Sequence, residues 1–352
     1  MSDPHDVARY IFVNDESELR SGWRVLLFLI CFFMVTAFLA GLCKAFATLF
    51  PSLAFIFVTP PGPESSNART LIHLGASSVM NLAAAVIASA VCARTLEHRR
   101  LGSVGFGLHR GWTRDFGLGS LMGAATLAIA VGIAASAGAL AFDVQTREWA
   151  PFLGGFMIAS MFFVIAGATE ELIFRGFPFQ ALVHNLGGAR AVAITSLIFG
   201  LAHISNPGAS AFSTINTVIA GIWLGLAYLV TRSLWLATAL HWSWNFAMVF
   251  IFGLPVSGLS TLGELAWLEG RAREPMWISG GSYGPEAGLA ATIALILSTV
   301  AIWKSGLFTA SEDMLVAIKH GKPEPAFMSV TPDPGLLSAA DQDNHRQESE
   351  LP

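Results

Sequence analysis

The sequence predicts an all-α fold, a polytopic transmembrane helical bundle of about eight spans. Three observations predict it. First, 54% of the 352 residues are hydrophobic and only 12% are charged, where a soluble domain carries about 25% charged residues. Second, the Leu, Ala, Ile, Val and Phe residues come in runs long enough to cross a bilayer, separated by charged or Pro-rich stretches. Third, Gly occurs 34 times, and glycine lets membrane helices approach one another closely.

The runs place spans at 22–49, 71–93, 116–142, 152–174, 190–205, 212–231, 234–252 and 287–303. The first begins near Trp23 and is too long for a cleavable signal peptide. Between the first two lies an outer loop with Pro51, Pro60, Pro61 and Pro63. The fifth span is short and needs neighbours to cover its ends. The stretch 259–273 mixes charges with Leu and Trp, and reads as a short helix along the membrane surface. Residues 304–352 leave the membrane and become polar and Pro-rich, as a disordered tail does.

Basic residues orient the bundle. Arg94, Arg99, Arg100, Arg110 and Arg114 place the loop after the second span in the cytoplasm. The N-terminal segment 1–21 and the tail then lie on the same side, with both termini cytoplasmic in a cell (inner) membrane. A net charge of −4 gives no reason to expect a nucleic-acid partner. Cys31, Cys43 and Cys92 lack metal-site spacing. Cys31 and Cys43, about 18 Å apart along one helix, are too distant for a disulfide. All three read as small apolar packing residues.

Polar side chains inside apolar spans are costly, which makes them functional candidates. Residues 151–252 carry only five charged side chains: Glu170, Glu171, Arg175, Arg190 and Arg232. The last two fall in loops. Glu170 and Glu171 point about 100° apart on a helix. Arg175, four residues after Glu171, shares its face and can neutralise it. Glu170 is then free to act as acid or base; an interfacial charge patch is the competing reading. His203 ends the fifth span, and His241 and Asn245 share one face of the seventh. A lone membrane histidine is more often a packing residue, but these four polar groups on three spans can all be accommodated only inside the bundle. By the predicted boundaries, however, Glu170 lies near the inner end of its span and His203 near the outer end of its own. His98 and His109, in the basic loop, read as solvated. Trp223, Trp235, Trp242 and Trp244 read as packing or interface aromatics, and Glu286 as a complement to a helix N-terminus.

Three segments in order resemble the motifs of the CPBP intramembrane proteases, the CAAX-protease and bacteriocin-processing family. They are E-E-x-x-x-R at Glu170–Arg175, F-x-x-x-H at Phe199–His203 and H-x-x-x-N at His241–Asn245. The flanking "FRGF", "LIFGLAHIS" and "GGSYGPEAG" are similar to family wording too. The resemblance covers 100–303 as a protease-like core, and leaves 22–99 as two added spans. It implies an intramembrane endopeptidase acting on a membrane-associated peptide or protein, prenylated or leader-bearing. Glu170 would activate water with the help of His203, and His241 and Asn245 would stabilise the oxyanion. Glu171 and Arg175 would support them. A metal-independent site is the favoured reading. A zinc site on Glu170, His203 and His241 is the other, although no H-E-x-x-H pair is present. Two other functions compete: a non-catalytic membrane protein that binds and regulates a partner, and a transporter that couples protons through Glu170, for which the sequence lacks internal repeats.

Overall fold

The computed structural model describes residues 11–14, 18–58, 67–144, 149–260 and 266–318. The expected tail beyond 318 and residues 59–66 of the Pro-rich loop therefore lie outside the described residues. The main helices are α1 (Ser21–Leu49), α2 (Asn67–Leu96), α3 (Trp112–Ser136), α4 (Trp149–Arg175), α5 (Phe177–Leu186), α6 (Gly188–Ala202), α7 (Ala211–Thr231), α8 (Leu234–Phe246), α9 (Leu289–Lys304) and α10 (Glu312–Ile318). The chain is a multi-pass, helical membrane protein. A π turn, Ala247–Ile251, extends α8.

The count of spans differs from the expected eight. Among the described residues, six helical stretches are long and apolar enough to cross a membrane: Ser21–Leu49, Arg69–Leu96, Trp112–Ser136, Phe152–Leu186, Ala211–Thr231 and Leu234–Ile251. The expected fifth and eighth spans are α6 and α9, with 15 and 16 residues. At ~1.5 Å per residue they reach roughly 22–24 Å, short of a hydrocarbon core of ~30 Å. Apolar content made both look like full crossings. The non-helical Asn206-Pro207-Gly208 stretch that stops α6 and the glycines that precede α9 shorten them.

Two further expectations are corrected by one feature. The third span does not run to 142. It stops at Ser136, and Gly138 at φ +73° turns the chain. Leu140–Val144 then forms a strand, β1, paired antiparallel with β2, Leu268–Ala272. The expected surface helix over 259–273 is thus replaced, where described, by half of a ribbon. The sequence carries the reason: 268–272 alternates, with Glu269 and Arg271 exposed and Leu268, Gly270 and Ala272 half-buried. That is the period of two of a strand. Arg271 sits 2.9 Å from Glu269 and 3.2 Å from Asp143 across the ribbon.

The core lies where α3, α7, α8 and α9 meet. It includes Leu127, Trp223, Leu240, Trp244 and Leu295. Glycine permits the tightest crossing: a Cβ on Gly123 of α3 would collide with the Leu240 carbonyl and the Ser243 hydroxyl of α8. Ser298 of α9 ties three helices, its Oγ lying 2.9 Å from both Thr126 Oγ1 and Trp223 Nε1. By contrast α1 shows most of its surface to its surroundings, with Phe33, Met34 and Phe38 more than 60% exposed. That is the pattern of a lipid-facing helix. Its start is held by buried Arg24, which lies 3.0 Å from Glu97 at the end of α2 and 2.9 Å from Glu18. His109 is not solvated as its loop position suggested. It is 4% exposed, with Nε2 3.1 Å from Ser233 Oγ at the start of α8.

Candidate active site

The local folding of α4 to α6 solves the separation that the sequence posed. Apolar helix does not end at Arg175. Phe152–Leu186 is one 35-residue stretch, broken only at Gly176, where a Cβ would collide with the Leu172 carbonyl. The reversal comes at Gly187, at φ +81°, a conformation glycine adopts without strain. Gly187 lies 17 residues after Glu170 and 16 before His203. Descending and returning arms differ by one residue, so the two side chains arrive at nearly one level. The expectation that Glu170 sits at the end of its span, away from His203, is therefore corrected.

Glu170 Oε2 stands 3.9 Å from His203 Nε2 and 3.9 Å from His241 Nε2. Both distances exceed a direct hydrogen bond. Oε2 is buried and has no hydrogen-bond partner among the described residues, although the Glu170 side chain as a whole is 35% exposed.

The adjacent Glu171 is paired through one oxygen, while its Oε2, like that of Glu170, has no hydrogen-bond partner among the described residues. It is fully buried, and its Oε1 accepts from Arg175 Nη1 at 3.0 Å and His241 Nδ1 at 2.8 Å. The intrahelical pair expected from spacing is present, with a third member. Arg175, also fully buried, reaches the Gly221 carbonyl of α7 at 3.2 Å. Its guanidinium lies 4.4 Å from the Phe199 ring centroid, a cation–π distance. Charge burial on this scale is sustained only by such pairing.

Phe199 also orients the first histidine. His203 Nδ1 lies 2.7 Å from the Phe199 carbonyl, one turn back. A carbonyl only accepts, so Nδ1 carries the hydrogen. The same logic applies to His241 and the Glu171 carboxylate. When neutral, each ring therefore presents a bare Nε2 towards Glu170; when protonated, it presents an N–H there. Asn245 lies one turn after His241 and shares its helix face.

Glu170, His203, His241 and Asn245 line a single cavity. Ala220, Trp223, Leu224, Trp244 and Leu295 form its apolar part. Trp223 and Trp244 were read as packing aromatics; they pack and also line the site. Beside Asn216 and Thr217, the polar part includes Ser257 and Glu286. Neither belonged to the expected site. Glu286 lay in a stretch, "GGSYGPEAG", that stood out in the sequence, but its position before an apolar run suggested only a helix-end charge. Ser257 had no sequence signal.

Glu170, His203 and His241 do not form a zinc site. Among the described residues no group of three or more His, Cys, Asp and Glu has the arrangement to hold a metal ion. Separations of 3.9 Å are wider than the ~3.3 Å between neighbouring ligands of a tetrahedral ion with ~2.0–2.1 Å bonds.

Residues 151–247 match a family model described as type II CAAX prenyl endopeptidase Rce1-like. The match contains Glu170, Glu171, Arg175, His203, His241 and Asn245 and ends before Ser257 and Glu286. It covers the segment whose motifs resembled the CPBP proteases. A comparison with curated proteins gave no match.

Proposed function

We propose that this chain, Rce1-like over residues 151–247, is an intramembrane endopeptidase that hydrolyses a peptide bond of a membrane-associated substrate. The observation that carries this reading is the buried Glu170 Oε2, without a hydrogen-bond partner among the described residues, facing two imidazole nitrogens at 3.9 Å. That gap admits one water in hydrogen-bond contact with the carboxylate and with a ring nitrogen.

The chemistry follows from the donors and acceptors present. Water gives a proton to Glu170, with His203 Nε2 accepting its second hydrogen bond, and its oxygen attacks the scissile carbonyl carbon. The carbonyl oxygen then becomes an oxyanion. Asn245 donates to it through its amide N–H. His241 donates through Nε2 in its imidazolium form, the charge being matched by Glu171 behind the ring. Arg175 holds Glu171 and so keeps His241 in place. Every step uses a group of this chain and water; none is routed through a metal.

The apolar wall of Trp223, Leu224, Trp244 and Leu295 suits a substrate with an apolar side chain or lipid next to the cleaved bond. A prenylated C-terminal peptide and a leader-bearing precursor both meet that description. Both termini of the chain lie in the cytoplasm in this reading, by the charge of its loops.

The test is cleavage in detergent of a fluorogenic peptide with a prenylated cysteine and three further residues, beside an unprenylated peptide. Wild-type cleavage that disappears in folded Glu170→Gln supports the reading. Equal cleavage by that variant sinks the role of Glu170. If wild type cleaves neither these peptides nor leader-bearing precursors, the chain is a partner-binding membrane protein rather than an enzyme.

A further inference from the structure

Glu286 lies beyond the matched segment, yet it lines the same cavity as Glu170, His203, His241 and Asn245. Its backbone is mounted firmly. Asn216 Nδ2 of α7 donates to the carbonyl oxygens of Glu286 at 2.9 Å and Gly288 at 3.0 Å. Thr292 Oγ1 holds Asn216 Oδ1 in turn, at 2.7 Å. Gly284, at φ +103°, gives the tight approach to Pro255 that brings the Glu286 turn against the 253–258 loop.

The carboxyl group itself is asymmetric. Oε2 accepts two hydrogen bonds from Ser257, from the backbone N–H at 2.6 Å and the hydroxyl at 2.9 Å. Oε1 has no hydrogen-bond partner among the described residues. A neutral carboxyl would therefore carry its proton on Oε1. The ionisable groups around it are Glu170, His203, His241 and Tyr283.

Hydrolysis of a peptide needs that proton. Water loses one proton to Glu170 as the C–O bond forms, and the departing nitrogen must gain one as the C–N bond breaks. We propose that Glu286 is the acid of this site, donating its Oε1 proton to the leaving amine. The C–N electron pair then leaves on a neutral amine, and Glu286 is left as carboxylate. The proton held by Glu170 returns to Glu286 through cavity water, restoring both groups. Burial supports the assignment. It raises the proton affinity of the Glu286 carboxyl more than Ser257 and the two histidines lower it, which favours the neutral acid.

This inference rests on the hydrolase reading, and one comparison separates the two. Wild type and Glu286→Gln are assayed on an amide substrate and on the nitrophenyl ester of the same acyl segment. A nitrophenolate leaves without protonation. Glu286→Gln should lose about 10²-fold or more in kcat on the amide and far less on the ester, with unchanged unfolding temperature. Glutamine retains an oxygen for the Ser257 bonds. Equal losses on both substrates, or none on the amide, would overturn the role of Glu286 while leaving the hydrolase intact. Failure of wild type on the amide would overturn the hydrolase itself. If Glu286→Gln does not fold, Glu286→Asp, which withdraws the acid by one methylene, must show the same amide-selective loss.

Discussion

His241 Nδ1 lies 2.8 Å from Glu171 Oε1, so the carboxylate that orients this ring is the sequence neighbour of the one that faces its other nitrogen. Two adjacent glutamates thus divide the work. A helix makes this possible, because successive side chains diverge by about 100°. Glu171 turns into a sealed charge cluster and Glu170 into the cavity.

Replacing Glu171 with Met should cost about 3–5 kcal/mol, since it strands a buried guanidinium. The double variant Glu171→Met, Arg175→Met should recover much of that stability in a detergent unfolding assay. It should not recover cleavage, because His241 has lost its anchor. Recovery of both would mean that Glu171 serves the fold alone.

Asn245→Ala should leave the unfolding temperature nearly unchanged, as the residue is half-buried and has no hydrogen-bond partner among the described residues. It should lower kcat by about 10²–10³-fold with little change in KM, as loss of an oxyanion donor does. A change confined to KM would make Asn245 a substrate-binding group instead.

Gly221→Val tests the seat of Arg175. A Cβ there would stand 2.8 Å from Ser196 Cα, pushing α6 from α7 at the level where Gly221 supplies its carbonyl to Arg175. Overpacking of this kind costs about 1–3 kcal/mol. Thermal unfolding should register the loss, and cleavage should fall with it.

Stability should depend on pH through Glu286. Burial raises its carboxyl above the ordinary range in the folded state. The folded chain therefore holds a proton that the unfolded chain releases, and stability falls as pH rises from the ordinary glutamate value through the raised one. Below that window the contribution is complete. Unfolding temperatures measured across the window should slope downwards in wild type, and the slope should shrink in Glu286→Gln. An unchanged slope would place the titration elsewhere.

A strong chelator should leave cleavage intact, since Glu170, His203 and His241 are spaced for water rather than for a tetrahedral ion. Loss of cleavage on chelation, restored by added zinc, would reverse that conclusion.

Much of this was legible in the residues. Spacing alone paired Glu171 with Arg175 and freed Glu170, because both facts depend only on helical geometry. The three motifs marked Glu170, His203, His241 and Asn245, four of the polar side chains that line the cavity. What could not be read was depth. Nothing in the apolar run around Arg175 announces that helix resumes in α5, so the reversal at Gly187 was missed and Glu170 seemed misplaced. The ribbon was missed because residues 140–144 follow an apolar helix without a charged break. Ser257 was out of reach because its role depends on a loop meeting a turn 29 residues later.

The two short helices have a consequence for the reaction's other substrate. Both α6 and α9 are shorter than a hydrocarbon core is thick, and the non-α-helical stretches that adjoin them carry His203 and Glu286. Irregular backbone at membrane depth is tolerated only where protein covers it or water reaches it. If the proposed hydrolysis holds, water must reach the site continually, and these missing turns of helix offer it a way in. On the proposed reading, lengthening either helix to a full crossing should cut off that access and slow cleavage.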